Sequence, residues 1–255
     1  MIRLEARGLT LAIGGRTLCA DLTVAFAAGE NWAILGANGS GKTSLLMALA
    51  GLRRADRGEV LLDGRPLRDH SARSRARLRA VLFQDSDALF PASVRDIALS
   101  GRYPHIPPWG AETAADHAAA DAALAALGLE SLAARPVDSL SGGERRRAEI
   151  AALLAQDTPV CLLDEPTNHL DLRHQLAVMA RFRERSTRPG HLNLSVLHDV
   201  NLARRYCTHA LMLFRDGAHD YGPLSEILSV ETLARAYGCA FERLGDPDQP
   251  VFLPR

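Results

Sequence analysis

Residues 31–51 limit what this chain can fold into more than any other stretch. Trp32–Leu35 is a short apolar run that reads as a buried strand. It ends in Gly36-Ala37-Asn38-Gly39-Ser40-Gly41-Lys42-Thr43, and Ser44 to Ala50 continues as a helical run. This is G-x-x-x-x-G-K-[ST] in a strand–loop–helix setting, the pattern of a phosphate-binding loop. Its glycines let successive backbone N–H groups curl around phosphate oxygens, and the new helix aims its positive end at the same place. Lys42 brings a full charge to the β- and γ-phosphates, and the Thr43 hydroxyl is placed for Mg²⁺. The loop implies a nucleoside triphosphate and is silent on what the energy is used for.

Composition narrows the class. A chain of 255 residues, 47% hydrophobic and 24% charged, reads as one large α/β domain or one domain with a subdomain. The formal net charge is zero, which argues against a mainly electrostatic binder of nucleic acid or of a membrane surface. Cys19, Cys161, Cys207 and Cys239 are scattered without a C-x-x-C pair and read as reduced, buried small residues. No charged-then-apolar leader opens the chain, and no apolar run approaches the roughly 20 residues of a membrane span. Work at a membrane then requires another chain to cross it.

Residues 2–13 and 17–26 alternate apolar and polar about Gly14-Gly15 and predict a β-hairpin. Glu59–Leu62 and Ala80–Phe83 read as strands, and the basic stretch Arg73–Arg79 as a helix with a solvated face. From about Ser93 to Ala134 strand signals fade: Ser93 caps a helix through Leu99, prolines interrupt at 104, 107 and 108, and Ala111–Leu127 is helical. Beyond it helices are expected at Ser141–Gln156, Leu172–Arg185, Asp199–Tyr206, Leu224–Leu228 and Glu231–Tyr237. Strands are expected at Val160–Leu163, Leu192–Leu197 and Ala210–Phe214. The alternation implies a parallel sheet covered on both faces. The proline-bearing tail after Gly245 is expected to be irregular.

Val160–Leu163 ends in Asp164 and Glu165. Ligands of open parallel sheets bind at the carboxyl ends of the strands. Asp164 therefore suits the Mg²⁺ shell, and Glu165 suits the attacking water, by orienting it or taking its proton. Ser141-Gly142-Gly143-Glu144 opens the next helix as a capping box, which explains Ser141 and Glu144. Two adjacent glycines cost helix stability unless the backbone must approach something closely, so this is a second helix start built to meet an anion. The two starts either converge within one chain or face each other across two chains, and periodicity cannot choose. His198 and Gln84 each follow a strand end, where nothing local separates a ligand from a packing residue. His169 and His174 flank Asp171 without a third partner, so no metal–His site is proposed.

In this order the segments resemble the ATP-binding subunit of an ABC (ATP-binding cassette) transporter over nearly the whole chain. The most specific likeness is Leu140-Ser141-Gly142-Gly143-Glu144, the family signature, preceding Leu162-Leu163-Asp164-Glu165-Pro166-Thr167. The resemblance implies an α/β P-loop NTPase core with a mostly parallel sheet, an N-terminal antiparallel β subdomain and an inserted all-helical subdomain at about 90–155. The cassette would span 1–245, with a tail at 246–255. Gly36–Thr43 corresponds to Walker A and Val160–Asp164 to Walker B. Glu165 resembles the catalytic glutamate, His198 the switch histidine and Gln84 the Q-loop glutamine, which with Thr43 and Asp164 holds Mg²⁺ and links it to the transmembrane partner. Asn168-His169-Leu170-Asp171 resembles the D-loop, with Asp171 at the dimer interface. A head-to-tail homodimer is implied, each ATP lying between Lys42 of one copy and Ser141-Gly142-Gly143 of the other. Two transmembrane permease subunits would bind the dimer at the cytoplasmic face of the cell membrane, and a substrate-binding receptor would act through them.

Three departures matter. The place where the family often stacks adenine on an aromatic is Ile13, so the adenine contact is apolar and weaker. The signature's usual last Gln is Glu144. The phosphate loop ends Thr43-Ser44 where Ser-Thr is commoner, and both hydroxyls remain. Gly101-Arg102-Tyr103-Pro104-His105, Ala155-Gln156 and Leu197-His198-Asp199-Val200-Asn201 resemble importers of metal chelates: ferric siderophores, haem and cobalamin. This narrower likeness is an analogy. The rival readings are a non-transport ATPase of the same fold acting on ribosome or DNA, and a small-molecule kinase sharing only the phosphate loop.

Overall fold

The computed structural model describes residues 3–84, 91–246 and 249–255. In chain order its elements are β1 (Arg3–Ile13), β2 (Arg16–Ala27), β3 (Asn31–Leu35), α1 (Lys42–Leu49), β4 (Arg57–Leu62), β5 (Arg65–Pro66), α2 (Ala72–Leu78) and β6 (Arg79–Leu82). Then come α3 (Val94–Ser100), α4 (Ala114–Ala126), α5 (Gly142–Gln156), β7 (Val160–Asp164), α6 (Leu172–Ser186) and β8 (Leu192–Val196). The chain closes with α7 (Val200–Tyr206), β9 (His209–Leu213), β10 (His219–Pro223), α8 (Leu224–Ile227), α9 (Val230–Tyr237), β11 (Phe241–Asp246) and β12 (Gln249–Pro254). They divide into two compact units, Met1–Asp69 with Arg183–Arg255, and His70–Phe182.

The first unit holds an antiparallel sheet in the order β2-β1-β4-β5. The expected hairpin is present, closing on the pair Ile13–Arg16. Leu4, Ala6, Leu9 and Leu11 are buried, and Leu22, Val24 and Phe26 across the ladder are buried with them. In the same unit β8, β3 and β9 run parallel, and β10 adds antiparallel to β9. All five residues of β3 and of β8 are buried, as parallel strands covered on both faces require. β10, His-Asp-Tyr-Gly-Pro, was not expected as a strand, because its polar residues carry no alternation.

The second unit pairs β6 and β7 in parallel. Around them Val94, Ala98, Ala120, Leu124, Ala148, Ile150, Ala151 and Phe182 share one buried core. The small Ala faces let α3, α4 and α5 approach closely. Three helices start with capping boxes: Ser93–Asp96, Thr113–Asp116 and Ser141–Glu144. The helix expected from Ala111 begins after Thr113.

Two expectations are corrected. The tail after Gly245 is not irregular: β12 pairs antiparallel with β11, with Pro250 opposite Gly245 and Pro254 opposite Phe241. Prolines are tolerated in a two-stranded ribbon, where each strand has an unpaired edge. The basic face of α2 is not merely solvated: Arg73 Nε and Arg77 Nε donate to the Pro104 carbonyl at 3.1 and 2.8 Å. Cys19, Cys161 and Cys207 are buried and Cys239 is half-buried, and none of them is in a disulfide. Burial pushes Cys19 up to about 11 and Cys207 up to about 12, so neither forms a thiolate readily.

Candidate functional site

In the first unit the phosphate loop leaves β3 at its carboxyl end. A Cβ at Gly36, where φ is +142°, would lie 2.5 Å from the Leu213 carbonyl oxygen and 2.8 Å from Ser40 Oγ, so only glycine fits. Lys42, the only lysine of the chain, is buried at 6% exposure. Its ammonium turns back on the loop and donates to the carbonyls of Gly36 at 2.9 Å and Ala37 at 3.0 Å. Ser40 Oγ is buried without a hydrogen-bond partner, a donor held inside the loop. Gly41 N-caps α1, so Lys42, Thr43 and Ser44 form its first turn, and the chain turns into it with Ser40 N donating to the Ala37 carbonyl at 3.1 Å.

The β3–β8 register pairs Ile34 with Val196, and Leu197 N donates to the Ile34 carbonyl at 3.2 Å. Gly36 and His198 therefore each lie two residues past that rung, on one rim of one unit. His198 is exposed. Asp199 caps α7, accepting from Asn201 N at 2.7 Å and Leu202 N at 3.0 Å. Ile13 ends β1 at the hairpin tip, 46% exposed, which leaves an apolar surface there.

In the second unit the β6–β7 register pairs Leu82 with Leu163. Gln84 stands two residues past Leu82, and Glu165 two past Leu163, at the same sheet end. Asp164 is fully buried and Glu165 nearly so. Glu165 has φ +47°, the left-handed region that a non-glycine residue occupies at a cost of about 1–3 kcal/mol. Its neighbours hold it there: Asn168 N donates to the Glu165 carbonyl at 3.2 Å, and Asn168 Nδ2 donates to Glu165 Oε2.

The signature helix start is a complete capping box. Ser141 N and Oγ each donate to Glu144 Oε2 at 2.8 Å, and Glu144 N donates to Ser141 Oγ at 3.3 Å. These bonds hold the Glu144 carboxyl below the usual range. A Cβ at Gly143 would lie 2.9 Å from the His169 carbonyl oxygen, so one of the two glycines answers to this chain's own backbone at His169. At Gly142 a Cβ would meet only ordinary contacts with the His169 side chain. Asp171 accepts from His174 N at 2.9 Å at the start of α6 and pairs with His174 Nδ1 at 2.8 Å.

Arg146 was missed. Within Arg145-Arg146-Arg147 it reads as part of a solvated face, yet it is 3% exposed. It donates to the carbonyls of Phe83 and Asp164, both at 2.6 Å, and of Glu165 at 2.8 Å. The likeness to chelate importers also has a structural meaning. Arg102 donates to the Ala155 carbonyl at 2.8 Å, and His105 Nε2 lies 2.8 Å from the Gln156 carbonyl. Gln156 Nε2 donates to the carbonyls of Ala76 at 2.6 Å and Arg79 at 3.2 Å.

Comparison with known proteins gives the family. The ABC transporter family profile matches residues 19–168. The chain is 37% identical to the ferric enterobactin transport ATP-binding protein FepC of Escherichia coli K12, covering 99% of this chain and 94% of that one. It is 41% identical to the hemin import ATP-binding protein HmuV of Myxococcus xanthus, covering 97% and 94%. Among solved structures, an inward-facing ABC transporter assigned to the metal-chelate type superposes with a TM-score of 0.85 at 26% identity, covering 100% of this chain and 97% of its own. The chain belongs to the ABC transporter family, as a subunit that binds and hydrolyses ATP.

Proposed function

We propose that this chain energises uptake of a metal chelate (a ferric siderophore, haem or cobalamin) through a separate membrane permease. The observation that carries this reading is the full-length likeness to ATP-binding proteins of ferric enterobactin and hemin import. In this reading the subunit sits peripherally at the cytoplasmic face of the cell membrane; among the described residues no helix is long and apolar enough to cross it. Two copies pair head to tail beneath two permease subunits, and the cargo receptor acts through the permease. The helices of residues 90–155 form the subdomain that meets the permease. A groove of about 330 Å³ lined by Val81, Phe83, Ile97, Gly101, Glu149 and Gln156 offers a partly apolar seat for a permease helix beside Gln84.

Each residue has a role that its setting supports. The loop N–H groups of Gly36 to Ser44 and the Lys42 ammonium take the phosphate charge, Lys42 exchanging its two carbonyls for phosphate oxygens. Ile13 lies against adenine. Thr43 Oγ1, the Gln84 carboxamide oxygen and the Asp164 carboxylate are the hard oxygen donors that Mg²⁺ prefers. Held by these residues, magnesium would supply positive charge against that of the triphosphate. Glu165 orients the attacking water and takes its proton, and His198 reaches the γ-phosphate. Ser141, Gly142 and Gly143 close on the nucleotide of the partner copy, and Asp171 lies at the dimer interface. Catalysis is positioning and charge stabilisation.

The test is Glu165→Gln in the full chain. ATP binding is retained, an ATP-bound dimer accumulates on gel filtration, and phosphate release falls by about a hundredfold or more. Normal turnover removes Glu165 from the chemistry. Co-purification of the chain with a polytopic membrane protein checks the transport reading, and salt-sensitive binding to nucleic acid counts against it.

A further inference from the structure

Arg146 does not belong to any of the motifs discussed above, yet it is buried and donates to four acceptors. Besides the carbonyls of Phe83, Asp164 and Glu165, it donates to Glu149 Oε2 at 3.0 Å, one turn along α5. Three of its four acceptors are main-chain oxygens at or just past the ends of β6 and β7. A guanidinium is rigid, planar and always charged, so one side chain can span several acceptors that water would otherwise have to satisfy. Phe83 immediately precedes Gln84, and Glu165 sits in a strained left-handed conformation with its carbonyl held by this fork. Arg146 thus grips the backbone of two segments whose side chains carry the proposed chemistry.

We infer that Arg146 is a positioning residue that holds Glu165 in its strained backbone state and keeps the Gln84 segment in step with it. The inference rests on the proposed role of Glu165. Arg146 is five residues past Ser141 on the same rigid helix, whose glycine-bearing start serves the nucleotide of the partner copy. One helix therefore couples closure on the partner's ATP to the aim of this chain's own Glu165. Glu149 sets a carboxylate against the guanidinium.

The test uses full-length Arg146→Met and Arg146→Lys. Arg146→Met lowers kcat by about tenfold or more and leaves KM for ATP within about threefold, and the MgATP-dependent dimer still forms. Arg146→Lys restores part of kcat, because an ammonium can serve one or two of the carbonyls but not the whole fork. In the Glu165→Gln background, Arg146→Met gives no further loss of the residual rate, as expected of two residues acting as one unit. A kcat within about twofold of the native value, an additive loss in the double variant, or a loss of ATP binding as large as the loss of kcat overturns the inference. If Arg146→Met does not fold, Arg146→Gln is read by the same measurements, and failure of both to fold makes the role purely structural and overturns it. Glu165→Gln alone separates the two ideas. Normal turnover there defeats the reading of Glu165, whereas arrest there with an unaffected Arg146→Met defeats only the inference.

Discussion

The carboxamide of Asn201 pairs with both main-chain polar groups of Phe252. Asn201 Nδ2 donates to the Phe252 carbonyl at 2.9 Å, and Phe252 N donates to Asn201 Oδ1 at 2.9 Å. The side chain thus mimics one rung of a strand ladder. It fastens the C-terminal ribbon to the helix that begins just after His198, and Phe252 itself is 2% exposed.

Asn201→Ala removes both bonds. At about 0.5–1.5 kcal/mol for each, the chain loses about 1–3 kcal/mol of stability. Hydrogen exchange then speeds up in β11 and β12 before it does in β3 or β9. Unchanged protection of the ribbon means that Phe252 burial alone holds it.

The two signature glycines separate by substitution. Gly142→Ala meets only ordinary contacts and keeps or raises the melting temperature, since alanine favours a helix by about 0.5–1 kcal/mol over glycine. Its ATPase activity nonetheless falls if, as proposed, the backbone there closes on the nucleotide of a partner copy. Gly143→Ala loses both, because its Cβ presses on the His169 carbonyl oxygen at 2.9 Å. Thermal melts set beside phosphate release decide this. Equal melting temperatures for the two variants contradict the assignment.

Acid weakens the helical region through its caps. The Asp96, Asp116 and Glu144 carboxyls are held below their ordinary values chiefly by hydrogen bonds from Ser93, Thr113 and Ser141, and Asp116 reaches about 2. Each folded pKa lies below its unfolded value of roughly 4, so the unfolded chain binds these protons more tightly. The stabilisation is therefore full above about pH 4–5 and is lost as pH falls toward 2. A melting temperature followed by helical circular dichroism drops across that window. In Asp116→Asn the drop is smaller.

What could be read from contiguous residues was local. The loop Gly36–Thr43, the strand ending in Asp164-Glu165 and the capping box Ser141–Glu144 each declare a backbone shape within a few residues, so their elements stand where the sequence predicts. The parallel strands were legible for the same reason, since burial on both faces demands an unbroken apolar run such as Val160–Leu163. Tertiary structure alone decided the rest. β10 has polar residues and becomes a strand only because β9 offers it hydrogen bonds. β12 forms because Phe252 has an apolar site and an Asn201 partner fifty-one residues away. Gly143 owes its identity to the backbone of His169 as well as to any ligand. Arg146 looks like its two exposed-seeming neighbours until folding brings three strand-end carbonyls to it. Side chains that bond to a distant main chain leave no pattern in sequence, because a carbonyl oxygen is the same at every residue and only the fold says which one is near.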